Sequence, residues 1–122
     1  MRKPTTKTLK LKADRLFSQL VRMRNVCEWC GAKNDTLQCA HVFSRKYLNT
    51  RWASLNCLCL CAKCHFKAHQ EPVEFVEFVK KYLGEETYAE LRRLRHKIYK
   101  PNYPQLIEEL QTKLATAKEV YE

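Results

Sequence analysis

Acidic residues are nearly missing from the first seventy positions, which hold three (Asp14, Glu28 and Asp35) against fourteen Lys and Arg. Residues 71–122 are close to balance, with nine Lys and Arg against ten Glu. The formal charge of +10 therefore resides in the N-terminal part. Charge carried only for solubility would not segregate in this way. A one-sided basic field expects a polyanion partner, most simply nucleic acid. It is silent on catalysis.

Long apolar runs are also missing. A bilayer-spanning helix needs about 20 predominantly apolar residues, and no stretch of this chain supplies them. The opening MRKPTTKTLKLKADR is basic but lacks an apolar stretch followed by a small-residue cleavage site, so it does not read as a secretory signal. The expectation is a soluble, cytoplasmic protein with no membrane partner. There is no internal repeat and no low-complexity segment, and 122 residues fit one domain with a modest core.

Cysteine, by contrast, is abundant. An odd count of seven, two C-x-x-C pairs and no export signal favour metal ligation in a reducing compartment over a disulfide framework. Cys27/Cys30 and Cys61/Cys64 are separated by thirty residues, the length of a β-hairpin that would bring both pairs to one ion at its base. Paired knuckles of this spacing are those of a four-cysteine structural zinc, a staple that a small core benefits from. Cys39, Cys57 and Cys59 read as small buried apolar residues.

The run CLCLCAKCHFKAH at 57–69 also contains His65 and His69. Four residues apart on a helix, they share a face with Cβ atoms about 5–6 Å apart, the spacing with which two imidazoles chelate one ion. At 3.6 residues per turn they lie about 100–140° around the helix from Cys64, too far for a single ion to meet both faces. A one-ion knuckle built from Cys61, Cys64 and His69 would need a further cysteine downstream, and none follows Cys64. Two metal sites are expected.

The segment pattern is α+β. Residues 1–26 comprise a basic arm (1–8) and an amphipathic helix from about Leu9 to Asn25, whose charged face (Lys10, Lys12, Arg15, Arg22, Arg24) is placed to meet phosphate. Residues 27–70 form the core: a turn at Cys27–Gly31 with a positive φ at the glycine, strands over 36–43 and 55–60 joined by an irregular basic connection, and a helix from Ala62. Residues 71–122 are a helical extension, with a broadly buried helix from Pro72 to a stop at Gly84, a second over 86–97 and a last one from Pro104. The apolar face of that last helix (Leu106, Ile107, Leu110, Leu114, Ala117) fits either the body or a partner.

With these residues in order, the stretch CAHVFSRKYLNTRWASLNCLCLCAKCHFKAH resembles an HNH nuclease of the ββα-metal type. The pattern is His41, then Asn56, then Cys61-x2-Cys64-His65-x3-His69, with Cys27-x2-Cys30 upstream. It covers about residues 27–70. His41-x3-Arg45 and Arg51-Trp52-x3-Asn56 are similar to phage-encoded members such as the NinG/Rap recombination proteins. The resemblance implies a small ββα-metal core with a structural Zn2+, flanked by an N-terminal helix and C-terminal helices. It implies His41 as the general base, Asn56 as the brace of its loop, and His65 and His69 as ligands of a catalytic divalent cation (Mg2+, Mn2+, Ni2+ or Zn2+). Arg45, Arg51 and Lys46 would contact the nucleic acid, Arg45 as a partner of the scissile phosphate.

Many relatives carry Asp or His as a third metal ligand where this chain has Ala40, leaving an open coordination sphere to which Cys39 is the nearest added donor. The implied activity is DNA phosphodiester hydrolysis, by nicking or double-strand cutting, on duplex or branched DNA in a host bacterial cytoplasm; RNA is not excluded. A phage protein partner would dock on the C-terminal helices. Two other classes compete. A non-catalytic zinc-stabilised nucleic-acid-binding module would need the four cysteines but not His41, and a protein-interaction adaptor would use the helical extension.

Overall fold

The side chain of Thr5 starts the first helix. Its Oγ1 accepts from the amide of Thr8 at 3.1 Å, a helix cap that moves the start ahead of the apolar periodicity. In the computed structural model, which describes residues 3–33 and 36–121, α1 therefore spans Thr6–Arg22. The basic arm is correspondingly shorter than the expected eight residues, and its first two lie outside the described residues. Ala13, Phe17 and Val21, each four apart, form the buried stripe of α1. Asn25, with φ 64°, turns the chain out of the helix.

Two antiparallel strands follow, β1 (Leu37–His41) and β2 (Cys57–Cys61), in the register Gln38↔Leu60, Cys39↔Cys59, Ala40↔Leu58, His41↔Cys57. Both are shorter than expected, for one reason. After His41 the ladder gives way to Asn56, whose carbonyl accepts from Val42 N at 2.7 Å and whose side chain takes over pairing at Phe43. Residues 54–56 make a tight turn instead of extending β2 backwards. The connection between the strands contains the one-turn helix α2 (Leu48–Arg51), which its basic composition did not reveal.

β2 runs directly into α3 (Ala62–Gln70), and then α4 (Pro72–Leu83), α5 (Glu85–Leu94) and α6 (Tyr103–Tyr121) complete the chain. The hairpin is covered on both faces, so all five residues of β2 are buried. Ala40, Leu58 and Leu60 pack on Ala68 of α3 and on Phe75 and Val79 of α4. Cys57 and Cys59 meet Ala13, Phe17 and Val21 of α1 together with Ile107 and Leu110 of α6. Burying each large side chain stabilises by about 1.5–3 kcal/mol. Cys57 and Cys59 are thus buried, as their positions suggested. The apolar face of α6 lies on the body.

α4 departs from expectation. Only Phe75 and Val79 are fully buried, while Val73 is 70% exposed. The surplus aromatics stack outward, Phe78 on Trp29 at 5.1 Å between ring centroids and Tyr82 on Phe78 at 5.5 Å. They roof the Cys27–Cys30 turn. Gly84 (φ 89°) ends α4 and Gly31 (φ 80°) closes the Cys27–Cys30 turn, both in the left-handed region that favours glycine. The architecture is a small α+β fold with a cysteine cluster at the hairpin base. No helix among the described residues is long and apolar enough to cross a membrane.

Candidate functional site

The four sulfurs of Cys27, Cys30, Cys61 and Cys64 lie within 4.8 Å of one another, and neither histidine of α3 joins them. Four thiolates about 2.3 Å from zinc in a tetrahedron stand about 3.8 Å apart; Cys30 Sγ and Cys61 Sγ are separated by 3.8 Å. The backbone supports the same chemistry. Cys30 N donates to Cys27 Sγ at 3.5 Å, and Cys64 N donates to Cys61 Sγ at 3.4 Å, which also caps α3. Burial raises the Cys27 pKa, but the amides of Cys30, Cys61 and Trp29 outweigh it and bring the thiol to about 6. Burial and the surrounding thiols push Cys64 the other way. One thiolate forms readily and the next resists until a cation neutralises the group. The donor set fits a structural metal ion such as zinc.

Glu28, inside this knuckle, holds it to the rest of the molecule. Its carboxylate accepts from the Cys59 amide at 2.7 Å, from Arg24 Nη1 at 2.7 Å and from the Tyr82 hydroxyl. Burial raises its pKa, but these donors prevail and hold the carboxyl below its ordinary 4.5. A depressed folded pKa contributes stability that is complete above the unfolded value and is lost as pH falls through the folded one. Glu28→Gln should therefore cost about 1.5–3 kcal/mol at neutral pH. Urea denaturation of both proteins across pH should show the difference closing below 4.5. Arg24, expected on a phosphate-facing helix surface, is instead absorbed here, since it also donates to Cys57 O and Ser54 O.

His41 ends β1, half-buried, with Nε2 2.9 Å from the carbonyl oxygen of Arg51. A carbonyl only accepts, so Nε2 carries the hydrogen and Nδ1 keeps its lone pair. Burial lowers the His41 pKa, the Arg51 carbonyl works against that, and Arg45 lowers it further; the net value is below 6.5. The ring is neutral at physiological pH.

The connection that supplies the Arg51 carbonyl is fixed by Asn56, which is fully buried. Its Oδ1 accepts from Phe43 N at 2.9 Å, and its Nδ2 donates to Phe43 O at 3.1 Å and Thr50 O at 3.0 Å. Asn56→Ala strands three backbone groups at once and should cost about 2–4 kcal/mol, readable as a lowered denaturation midpoint.

His65 and His69 stand on one face of α3 with ring centroids 5.0 Å apart. His65 Nδ1 lies 2.6 Å from Gln38 Oε1 on β1. An amide oxygen accepts, so Nδ1 carries the hydrogen and Nε2 is left as a ligand nitrogen, the arrangement that orients metal-binding imidazoles. Burial and the neighbouring His69 lower the His65 pKa, which favours the metal-competent neutral ring. A cavity of about 640 Å3 runs beside β1 from α1 to α3 and α4, and His41, Arg45, His65 and His69 all line it. Ala40 presents only a methyl group. Cys39, which sequence offered as a further donor, sits with His41 on the opposite strand face from Gln38 and Ala40 and clusters with His41 and Cys57; Cys39 and His41 both reach the cavity that His65 and His69 line from α3.

The basic residues of the connection divide. Arg45 is 58% exposed on the cavity, 3.6 Å from Asp14. Lys46 is exposed, its Nζ over the Tyr47 ring at 5.0 Å. Arg51 is committed elsewhere: Nε and Nη2 grip both oxygens of Asp14, and Nη1 donates to Arg45 O at 3.1 Å. With 14% of its side chain exposed it is a brace between the connection and α1. Trp52 Nε1 donates to the same carboxylate at 3.0 Å, as befits a packing residue. Three positioning residues were missed from sequence: Asp14, Glu28 and Gln38. No motif marks them, because each acts on a partner distant in the chain.

No family model, curated protein or solved structure matches this chain.

Proposed function

We propose that the chain is a metal-dependent endonuclease of the HNH type that hydrolyses phosphodiester bonds in DNA. The observation that carries this reading is the convergence of His41, Arg45, His65 and His69 on one cavity, with the four-cysteine cluster separate from it. His41 Nδ1 takes the proton from an attacking water, while the Arg51 carbonyl holds the ring's tautomer through Nε2. Asn56 keeps that carbonyl in place through its bonds to Phe43 and Thr50. Arg45 neutralises a non-bridging phosphate oxygen. His65 and His69 would hold a divalent cation, which would supply Lewis-acid stabilisation of the phosphate and of the leaving 3′ oxygen. The basic N-terminal part grips the backbone, where contacts position a protein without reading sequence. Its working compartment is the cytoplasm of a bacterial host, and a protein partner would meet the outward side of the C-terminal helices, since the apolar face of α6 lies on the body.

Ala40 favours a second reading, a zinc-stabilised module that binds nucleic acid without cutting it. Purified protein incubated with supercoiled plasmid and Mg2+, Mn2+, Ni2+ or Zn2+ in turn separates the two. The nuclease reading expects nicked or linear DNA that disappears with chelator. Binding without cleavage, on plasmid and on branched DNA and RNA alike, would favour the module.

A further inference from the structure

The hairpin face turned away from α3 carries a second cluster of donors that the four-cysteine centre does not use. Ligand atoms of Cys39, His41 and Cys57 lie within 4.8 Å of one another. The cause is local geometry. Cys57 is the register partner of His41, and Cys39 is two residues before His41, so the pleat sends all three side chains to one face. Cys57 is 1% exposed and forms the floor, while Cys39 and His41 are half-buried and open on the cavity beside β1.

Two further observations argue that these three neighbours bind a cation. The His41 ring is already held by the Arg51 carbonyl, the outer-shell restraint that fixes the tautomer and direction of a ligating imidazole. The cavity gives an ion a way in and leaves a coordination position for water. Two sulfurs and one nitrogen select a thiophilic cation and discriminate against Mg2+, which requires oxygen ligands in an octahedron.

We propose that Cys39, His41 and Cys57 form a second zinc site, distinct from the four-cysteine centre, and that Zn2+ bound there inhibits the enzyme by occupying its general base. The inhibitory part rests on the nuclease reading; the binding part does not. Excess zinc then switches cleavage off, whereas Mg2+ and Mn2+ leave His41 free.

The test counts zinc in a His65→Ala/His69→Ala background, which removes the α3 pair. After equilibrium dialysis against micromolar free Zn2+, metal analysis should give about two zinc per chain. Adding Cys57→Ala or, independently, Cys39→Ala should weaken the second zinc at least about tenfold, the loss that outer-shell changes alone produce. The first zinc and the circular dichroism should stay unchanged. One zinc throughout, or a second zinc indifferent to both cysteine variants, overturns the site.

In the otherwise unchanged protein, Mg2+-supported plasmid cleavage should fall with added Zn2+, and Cys57→Ala should resist it. Inhibition that persists in Cys57→Ala places the blocking ion elsewhere and overturns the inhibitory role. A chain that binds the second zinc but never cuts DNA keeps the site and loses the nuclease reading.

Discussion

On the nuclease reading, His41→Ala should lower plasmid cleavage by about 10²–10⁴-fold while DNA affinity stays unchanged, the loss expected when a positioned general base is removed. The separation of the two effects follows from where the residue sits. His41 is neutral and contributes no charge to phosphate binding, because burial lowers its pKa and Arg45 lowers it further, against the raising effect of the Arg51 carbonyl. The same shift sets the pH profile. A base acts in its neutral form, so kcat/KM should be flat through neutrality and fall only below pH 6.5, the ordinary value from which His41 is lowered. A variant that lost cleavage and binding together would indicate a structural role. Gel-shift affinity measured beside the rate distinguishes these.

Removing the metal from the four cysteines should undo the fold. Structural zinc binds such sets with an apparent free energy of about 10–16 kcal/mol, as large as the whole stability of a typical domain at about 5–15 kcal/mol. The cluster joins the Cys27–Cys30 turn to the junction of β2 and α3, and Cys61 caps α3 as well. Cys61→Ser, or a strong chelator on the unchanged protein, should abolish the cooperative thermal transition and the β1–β2 pairing. Chelator-treated protein that still melts cooperatively near the original temperature would mean that packing between α1, β2 and α6 is sufficient alone. Readdition of Zn2+ should restore the transition.

The four-cysteine cluster and the placement of the α3 histidine pair were legible in the sequence because their residues are close along the chain or repeat a fixed spacing. Two C-x2-C pairs and a His-x3-His pair on a helix need only local geometry to be read. The direction of α3 also follows from spacing: Cys64 faces the knuckle and His65 and His69 face the cavity. Arg51 was not legible. As a basic loop residue it reads as a phosphate contact, and only Asp14, 37 residues away, turns it into a brace. Gln38 gains its role from His65, 27 residues on, and Glu28 from Tyr82, 54 residues on. The start of α1 escaped because a threonine cap, lacking any apolar signature, extends the helix ahead of its stripe. The apolar density of α4 suggested a broadly buried helix, but Phe78 and Tyr82 serve as a roof over Trp29.

The most direct test locates the ions. Crystals of the zinc-loaded protein soaked in Mn2+, with anomalous diffraction recorded at both metal edges, should place zinc among Cys27, Cys30, Cys61 and Cys64. Manganese should lie between the imidazoles of His65 and His69, on the cavity side that His41 lines. Manganese absent from that pair, or zinc bound by His65 or His69 in place of a cysteine, would contradict the division between a sulfur-held scaffold and an exchangeable imidazole-held cation.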